Sequence, residues 1–181
     1  MSFFKNKFFL IGAIGVVGVI LMAIIGAMLS GGRAGVQEQS FALELRFSNL
    51  IETISTYQSN VKSSELRSSS ASLNGILSNS KSELSEYIQE TFKGKKAEKK
   101  TTDSEKEHLE ALKNELFQAK INGILDRIYA HKMSYEIALV MAMEDTLYDA
   151  TSNDKLRSIL DNSYNSLRNL KEQFDQYSEA N

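Results

Sequence analysis

The hydrophobic residues of this chain follow two different patterns. Residues 8–29 read FFLIGAIGVVGVILMAIIGAML and hold no charged or strongly polar side chain. As a helix this run extends about 33 Å, enough to cross a hydrocarbon core of about 30 Å. Beyond it, apolar residues recur every three or four positions, which is typical of amphipathic helices. The pattern predicts one membrane-spanning helix followed by a helical tail.

Two apolar stripes in the first half of the tail predict two helices, at about 37–61 and about 71–92. Between them, the serine-rich segment 63–70 predicts a turn or kink, because serine side chains compete for the backbone hydrogen bonds of a helix. The faces expected to be buried comprise Leu43, Phe47, Leu50, Ile54, Tyr57 and Val61 in the first helix, and Leu73, Ile76 or Leu77, Leu84, Tyr87, Ile88 and Phe92 in the second.

A loop and a third stripe come next. Lysines crowd the segment 93–103, which we interpret as a loop. Ser104 and Glu107 then match a capping box, which predicts a helix start there. The helix is expected to reach about Ala130, with an apolar stripe broad enough for the core of a bundle. That stripe comprises Leu109, Leu112, Leu116, Phe117, Ile121, Ile124, Leu125 and Ile128.

The last third of the chain predicts two more helical segments. A junction at 131–134 precedes residues 135–143, which are apolar on every side and should form the most buried helix. Polar residues at 151–154 predict caps at the next break. The final stripe has the most regular heptad spacing: Leu156, Leu160, Ser163, Leu167, Leu170, Phe174 and Tyr177. We therefore predict an all-α fold, with a single N-terminal transmembrane helix followed by an up-and-down antiparallel helical bundle over 37–178.

Composition narrows the function classes. The chain has no cysteine, which excludes disulfides, thiolate nucleophiles and cysteine-ligated metals, and its lack of proline favours long helices. All 23 acidic residues but only 18 of the 21 basic ones lie beyond Arg33, so the tail has a net charge of −5. This acidic balance argues against nucleic acid as a partner.

Charge also predicts the orientation of the membrane helix. Lys5 and Lys7 precede the apolar run, so residues 1–7 are expected to form a short cytoplasmic tail, with the bundle outside the cytoplasm. Cleavage as a signal peptide remains an alternative, although the apolar run of such a peptide has only about 7–15 residues. The glycine-rich segment 30–36 is expected to be a flexible linker.

The lysine-rich segment is the one candidate binding site. If residues 37–92 form two antiparallel helices, this segment returns to the membrane, where its ammonium groups could contact anionic headgroups. If they form one unbroken helix, the segment lies at the far tip and faces some other polyanion. A third alternative is a solvated linker without a function. The lysines concerned are Lys93, Lys95, Lys96, Lys99 and Lys100.

Other candidate sites lack essential parts. Glu105 and His108 form one Glu-x-x-His pair, which is half of the ligand pattern of di-iron bundles, and the other half is missing. The pair is also expected to lie at an exposed helix start. The second histidine, His131, lies elsewhere. No Gly-x-Ser-x-Gly sequence marks a serine nucleophile. The methionines and tyrosines around 133–148 are explained by core packing rather than by a ligand pocket. We therefore expect no catalytic residue, no cofactor and no metal ion.

One short segment has a family resemblance. Residues 49–57 read NLIETISTY and resemble the Asn-Leu-Val-Glu-Thr-Val-x-x-Tyr segment of LemA-family proteins. The resemblance covers nine residues of 181, and residue 48 is serine where the family carries proline. LemA-family proteins are bacterial, with an N-terminal membrane helix, an elongated antiparallel helical bundle and a poorly defined molecular role. The resemblance implies the same layout and assigns a function to no residue.

These patterns lead to a functional expectation. We expect a non-enzymatic, single-pass membrane protein that works through protein or envelope contacts, as a scaffold, in adhesion or in envelope assembly, with a protein partner or as a homo-oligomer. The alternative is an extracytoplasmic sensing or ligand-binding bundle coupled to a membrane partner. Because only seven residues precede the span, such signalling would need that partner.

Overall fold

The structure, a computed structural model, describes residues 33–180. Over this range the chain forms five α-helices and no strand, which confirms the all-α prediction for the tail. The helices are α1 (Arg33–Tyr57), α2 (Ser64–Phe92), α3 (Lys99–Ile121), α4 (Leu125–Ala150) and α5 (Asp154–Ala180), with a single 3₁₀ turn at Gln58–Asn60 after α1.

The predicted membrane helix at 8–29 and the predicted cytoplasmic tail at 1–7 lie outside the described residues. Between residues 33 and 180, no helix combines the length and the apolar character needed to cross a membrane.

Four of the helices form a closed ring and the fifth lies outside it. Helices α1, α2, α5 and α4 pack in that cyclic order, and α3 packs in the groove between α1 and α4. Neighbours in the ring run antiparallel: between α2 and α5, for example, residue 69 pairs with residue 173 and residue 90 with residue 155. Helix α3 runs parallel to α1, since residue 46 pairs with residue 105 and residue 60 with residue 120. The bundle is therefore an antiparallel four-helix ring with an added helix.

The apolar stripes of α1, α2 and α5 fill the interior of the ring. All six predicted positions of the first stripe are buried, and so are six of the seven in the last, with Tyr177 half-buried. In the second stripe Ile76 is half-buried and the other predicted positions are buried. Burial of a leucine or phenylalanine side chain contributes about 1.5–3 kcal/mol, so these stripes account for the packing of the bundle.

The first break in the tail lies earlier than predicted. Helix α1 begins at Arg33, within the segment expected to be a linker, and ends at Tyr57. The chain turns at 58–63, and Ser63 caps α2 by accepting a hydrogen bond from the amide of Leu66 at 3.3 Å. The serines at 68–70 lie inside α2, where Ser70 donates to the carbonyl of Leu66 at 2.6 Å. Residues 37–92 thus form two antiparallel helices.

Two boundaries of the third predicted helix are wrong. It begins at Lys99 rather than at Ser104, so the loop covers only 93–98. It ends at Ile121, and residues 131–134, expected to be a junction, lie inside α4. The actual break is the turn at 122–124, where Gly123 has a φ of +72° that favours glycine. The break at 151–153 agrees with the prediction, and Asn153 Oδ1 there accepts from the amide of Leu156 at 3.0 Å.

Candidate functional site

Helix α3 connects the two ends of the bundle, and a buried ion cluster fastens it to the ring. Arg46 on α1 is 1% exposed. It forms a bidentate ion pair with Glu105 on α3, in which Nε lies 2.8 Å from Oε2 and Nη2 lies 2.9 Å from Oε1. Its Nη1 also donates to Oε2 of Glu136 on α4 at 3.3 Å. One guanidinium therefore joins the three helices that meet in this groove. We call Arg46, Glu105, His108 and Glu136 the ion cluster.

His108 completes the ion cluster. Its Nε2 lies 2.9 Å from both carboxylate oxygens of Glu136, so this nitrogen must carry a hydrogen, since two lone pairs would repel at that distance. The 3.2 Å approach of Arg46 Nη1 to the same nitrogen is then a contact between two donors. Burial lowers the pKa of Arg46, but the bonds and charges of Glu105 and Glu136 outweigh it and raise this pKa above its usual value. The guanidinium therefore stays charged inside the protein.

The expectation that Glu105 and His108 lie at an exposed helix start is wrong. Glu105 is 2% exposed and His108 is 8% exposed, because α3 begins six residues earlier and this turn faces α1 and α4. In the part of the chain that the structure describes, no three His, Asp or Glu side chains are placed to hold a metal ion. The guanidinium of Arg46 occupies the point where the two carboxylates converge.

Polar contacts along α1 hold the rest of α3. Asn49 Nδ2 donates to the carbonyl of Glu105 at 3.1 Å, and Tyr57 Oη donates to the carbonyl of Lys113 at 2.8 Å. Glu52 forms an ion pair with the side chain of Lys113. Asn49, Glu52 and Tyr57 all belong to the segment 49–57 that resembles the LemA family. In this chain that segment therefore attaches α3 to the ring.

The lysine-rich end lies beside the start of α1. Lys93 and Gly94 take the left-handed backbone conformation, with φ of 40° and 77°, which turns the chain back across the end of the bundle. Lys95 Nζ then donates to Gln37 Oε1 at 3.0 Å, and the amide of Glu98 donates to Glu38 Oε1 at 2.9 Å. The side chains of Lys93, Lys95, Lys96, Lys99 and Lys100 are all exposed. We call this end, with the five lysines and the first turn of α1, the base.

The opposite end of α3 exposes apolar side chains that were predicted to be buried. Phe117 is 50% exposed, Ile121 is 63% exposed and Ile124 is 41% exposed. The prediction failed because α3 lies outside the ring, so the ring covers only a narrow face that includes Leu112 and Leu116. The exposed polar side chains beside the three include the amides of Asn114, Gln118 and Asn122 and the cations of Lys120 and Arg127. We call Phe117, Ile121 and Ile124 the distal patch.

A second buried acid lies apart from the ion cluster. Glu144 on α4 is 1% exposed, and within residues 33–180 neither of its carboxylate oxygens has a hydrogen-bond partner. The pKa of Glu144 is raised to about 8, mainly by burial. Ser163 on α5 lowers this pKa in part, and the charge of Asp145 raises it. The hydroxyl of Ser163 lies near the carboxyl without meeting hydrogen-bond geometry. The carboxyl is therefore neutral in the folded protein at pH 7.

Sequence reasoning missed the ion cluster, because Arg46, the pair Glu105 and His108, and Glu136 lie far apart in the sequence. A signal was present, because Glu105 and His108 continue the buried spacing of Leu109 and Leu112 toward the start of α3. Charged residues at core-facing positions of a stripe indicate buried pairing, since an unpaired charge in a core is costly.

The comparisons with known proteins add no family. No family model, no curated protein and no solved structure matches this chain. The LemA resemblance at 49–57 stays a prediction.

Proposed function

We propose that this chain is a single-pass, membrane-tethered helical bundle that works without catalysis, as a scaffold that makes protein contacts away from the membrane. One observation supports this proposal above the others: the two ends of the bundle differ. The base combines the start of α1 with five exposed lysines, whereas the far end presents the distal patch. A tethered scaffold needs this division between an attached end and a contact end.

The position of the base favours attachment there. Helix α1 begins at Arg33, four residues beyond the apolar run that ends at residue 29. Because the chain returns at 58–63, the lysines at 93–100 come back to the same end. In the tethered protein they would face the lipid surface, where each lysine contributes on the order of 1 kcal/mol of attraction to anionic headgroups.

The local sequence of α3 also favours a binding role for the base. Lys99 and Lys100 occupy its first turn, and Glu98 at its N-cap makes no side-chain capping bond. Cations in a first turn oppose the helix dipole and destabilise the helix by about 0.3–1 kcal/mol each. Residues that destabilise their own helix without an evident compensating contact are typical of functional positions.

The distal patch lies far enough from the base to act separately. From Lys99 to Phe117, α3 rises by about 27 Å at 1.5 Å per residue. An exposed apolar cluster bordered by polar residues is typical of a protein contact surface. The scaffold would therefore present its contact surface roughly 30 Å above the membrane.

Site-specific photo-cross-linking in the cell that makes the protein tests the proposed function. A photoreactive residue in place of Gln118, beside the distal patch, is expected to give one or a few discrete protein adducts in the membrane fraction. The matched control is Asn169, which is exposed on α5 and lies away from the patch. Adducts that are absent at Gln118, or that look the same at both positions, would contradict a contact at the distal patch. Release of the chain from membranes by alkaline carbonate would contradict the tether.

A further inference from the structure

We infer that α3 is a releasable helix, which leaves the groove between α1 and α4 as a unit while the ring of α1, α2, α5 and α4 stays folded. The inference goes beyond the proposed function and does not depend on the membrane tether. It is drawn from the closure of the ring beneath α3, from the few apolar side chains that α3 buries and from the links at its two ends.

The ring is closed without α3. Helices α1 and α4 contact each other beneath it, and each also packs against a further helix of the ring. Arg46 Nη1 reaches Glu136 across this contact, and the amide of Lys62, just after α1, donates to Asp126 Oδ1 at 3.0 Å. Four antiparallel helices around one core are a complete bundle in themselves. Release of α3 therefore leaves the packing among the other four helices in place.

Helix α3 buries fewer apolar side chains than any helix of the ring. In the described chain its 23 residues bury four, which are Leu109, Leu112, Leu116 and Ala119. The 26 residues of α4 bury nine, and the 27 residues of α5 bury six, the lowest number in the ring. Regions with few buried apolar contacts open at a lower free energy than the rest of a protein. We therefore expect α3 to open before the ring does.

Much of the remaining hold on α3 is polar, and its loss on release is largely offset by water. Arg46, Glu105 and Glu136 lose their mutual attraction when α3 leaves, but all three then become hydrated. The hydrogen bonds from Asn49 and Tyr57 to carbonyls of α3 are exchanged for bonds to water. These polar contacts therefore determine where α3 docks more than they oppose its release.

The links at both ends of α3 lie on the surface. Residues 93–96 and 122–124 are exposed, so the movement of α3 draws no side chain of these segments out of the core. In the first turn, Lys99 and Lys100 oppose the helix dipole, which lowers the stability of α3 on its own. Once away from the ring α3 frays, because most helical stability in proteins comes from packing. Its backbone amides then exchange with solvent.

Hydrogen exchange of the full chain in detergent micelles, measured by mass spectrometry of its peptides, tests this inference. The segments compared are 108–118 in α3, 43–54 in α1 and 133–143 in α4, which all lie inside helices. Amides at 108–118 are expected to exchange on the order of a hundredfold faster than those of the other two segments, because release needs less free energy than unfolding of the ring. Equal protection of the three segments would overturn the inference, since α3 would then open only when the whole bundle unfolds.

A chemical link between α3 and the ring separates release from local fraying. Lys120 on α3 donates to Asn60 Oδ1 at 3.1 Å, and both side chains are exposed. The chain has no cysteine, so a bis-maleimide joins Asn60→Cys only to Lys120→Cys. This link is expected to slow exchange at 108–118 by at least tenfold, because it holds α3 on the ring.

The matched link joins two helices of the ring instead. It connects Glu86→Cys on α2 to Lys155→Cys on α5, whose native side chains meet at 3.1 Å and are exposed. Exchange at 108–118 is expected to stay unchanged with this link. Fast exchange at 108–118 that the link between positions 60 and 120 does not slow would show fraying within a docked α3 and would overturn its release.

Discussion

Replacing Arg46 with methionine is expected to lower the free energy of unfolding of the bundle, residues 33–180, by about 3–5 kcal/mol, the usual cost of breaking a buried ion pair. The guanidinium is the only cation in contact with both Glu105 and Glu136 among residues 33–180, and these acids are 2% exposed each. Without it, the two carboxylates stay buried, and His108 remains as a partner of Glu136, whereas within residues 33–180 it makes no hydrogen bond to the carboxylate of Glu105. Urea denaturation of residues 33–180, followed by circular dichroism, measures the change.

Two variants control this prediction. Arg168→Met removes an exposed arginine and is expected to change the free energy of unfolding by less than about 0.5 kcal/mol. Adding Glu105→Leu and Glu136→Leu to Arg46→Met removes the unpaired charges as well. This triple variant is expected to recover much of the loss, since an apolar replacement of a buried ion pair is often neutral or stabilising. An Arg46→Met variant as stable as Arg168→Met would show that the ion cluster does not fasten α3.

Replacing Glu144 with glutamine is expected to stabilise the protein by about 3 kcal/mol at pH 7, because one pKa unit corresponds to about 1.4 kcal/mol. Burial raises the pKa of this carboxyl to about 8 from an ordinary value of 4.5. Below pH 4.5 both the folded and unfolded states hold the proton, so the raised pKa has no effect on stability. Between pH 4.5 and 8 the unfolded chain loses the proton while the folded protein keeps it, so stability falls as pH rises. Above pH 8 the folded carboxyl also ionises and the loss is complete.

Denaturation at pH 4.5 and at pH 8 separates this mechanism from a simple packing effect. The stabilisation by Glu144→Gln should be near zero at the lower pH and largest at the higher one. The control Glu83→Gln alters an exposed acid on α2 and should show no such difference. A gain from Glu144→Gln that is the same at both values, or a loss at pH 8, would contradict a protonated carboxyl in the core.

The periodic stripes predicted the helices of the bundle but not that α3 lies outside the ring. Spacing alone identified the buried faces of α1 and α5, because each lies between two neighbours in the ring and buries one continuous stripe. Phe117 and Ile121 follow the same spacing and are exposed, since α3 lies on the outside of the ring. Hydrophobic spacing gives the side on which apolar residues lie, whereas the number of neighbouring helices decides whether that side is covered.

The missed break and the missed ion cluster have separate physical reasons. Apolar residues continue through Ile121, Ile124 and Leu125, which hid the turn, although the Asn122-Gly123 pair is a recognised turn signal. The ion cluster joins Arg46 to a residue 59 positions later and to another 90 positions later. Such pairings depend on how helices are arranged in three dimensions, which local spacing does not contain.

The depth of two labelled positions relative to the membrane tests our proposal that the base faces lipid and the distal patch points away from it. The full chain is reconstituted in phosphatidylglycerol vesicles with a fluorophore on Lys96→Cys or on Gln118→Cys. A spin label in the lipid headgroup region is then used to quench the fluorescence. We expect strong quenching at position 96 and almost none at position 118. Equal quenching at both positions, or quenching at 118 alone, would contradict it.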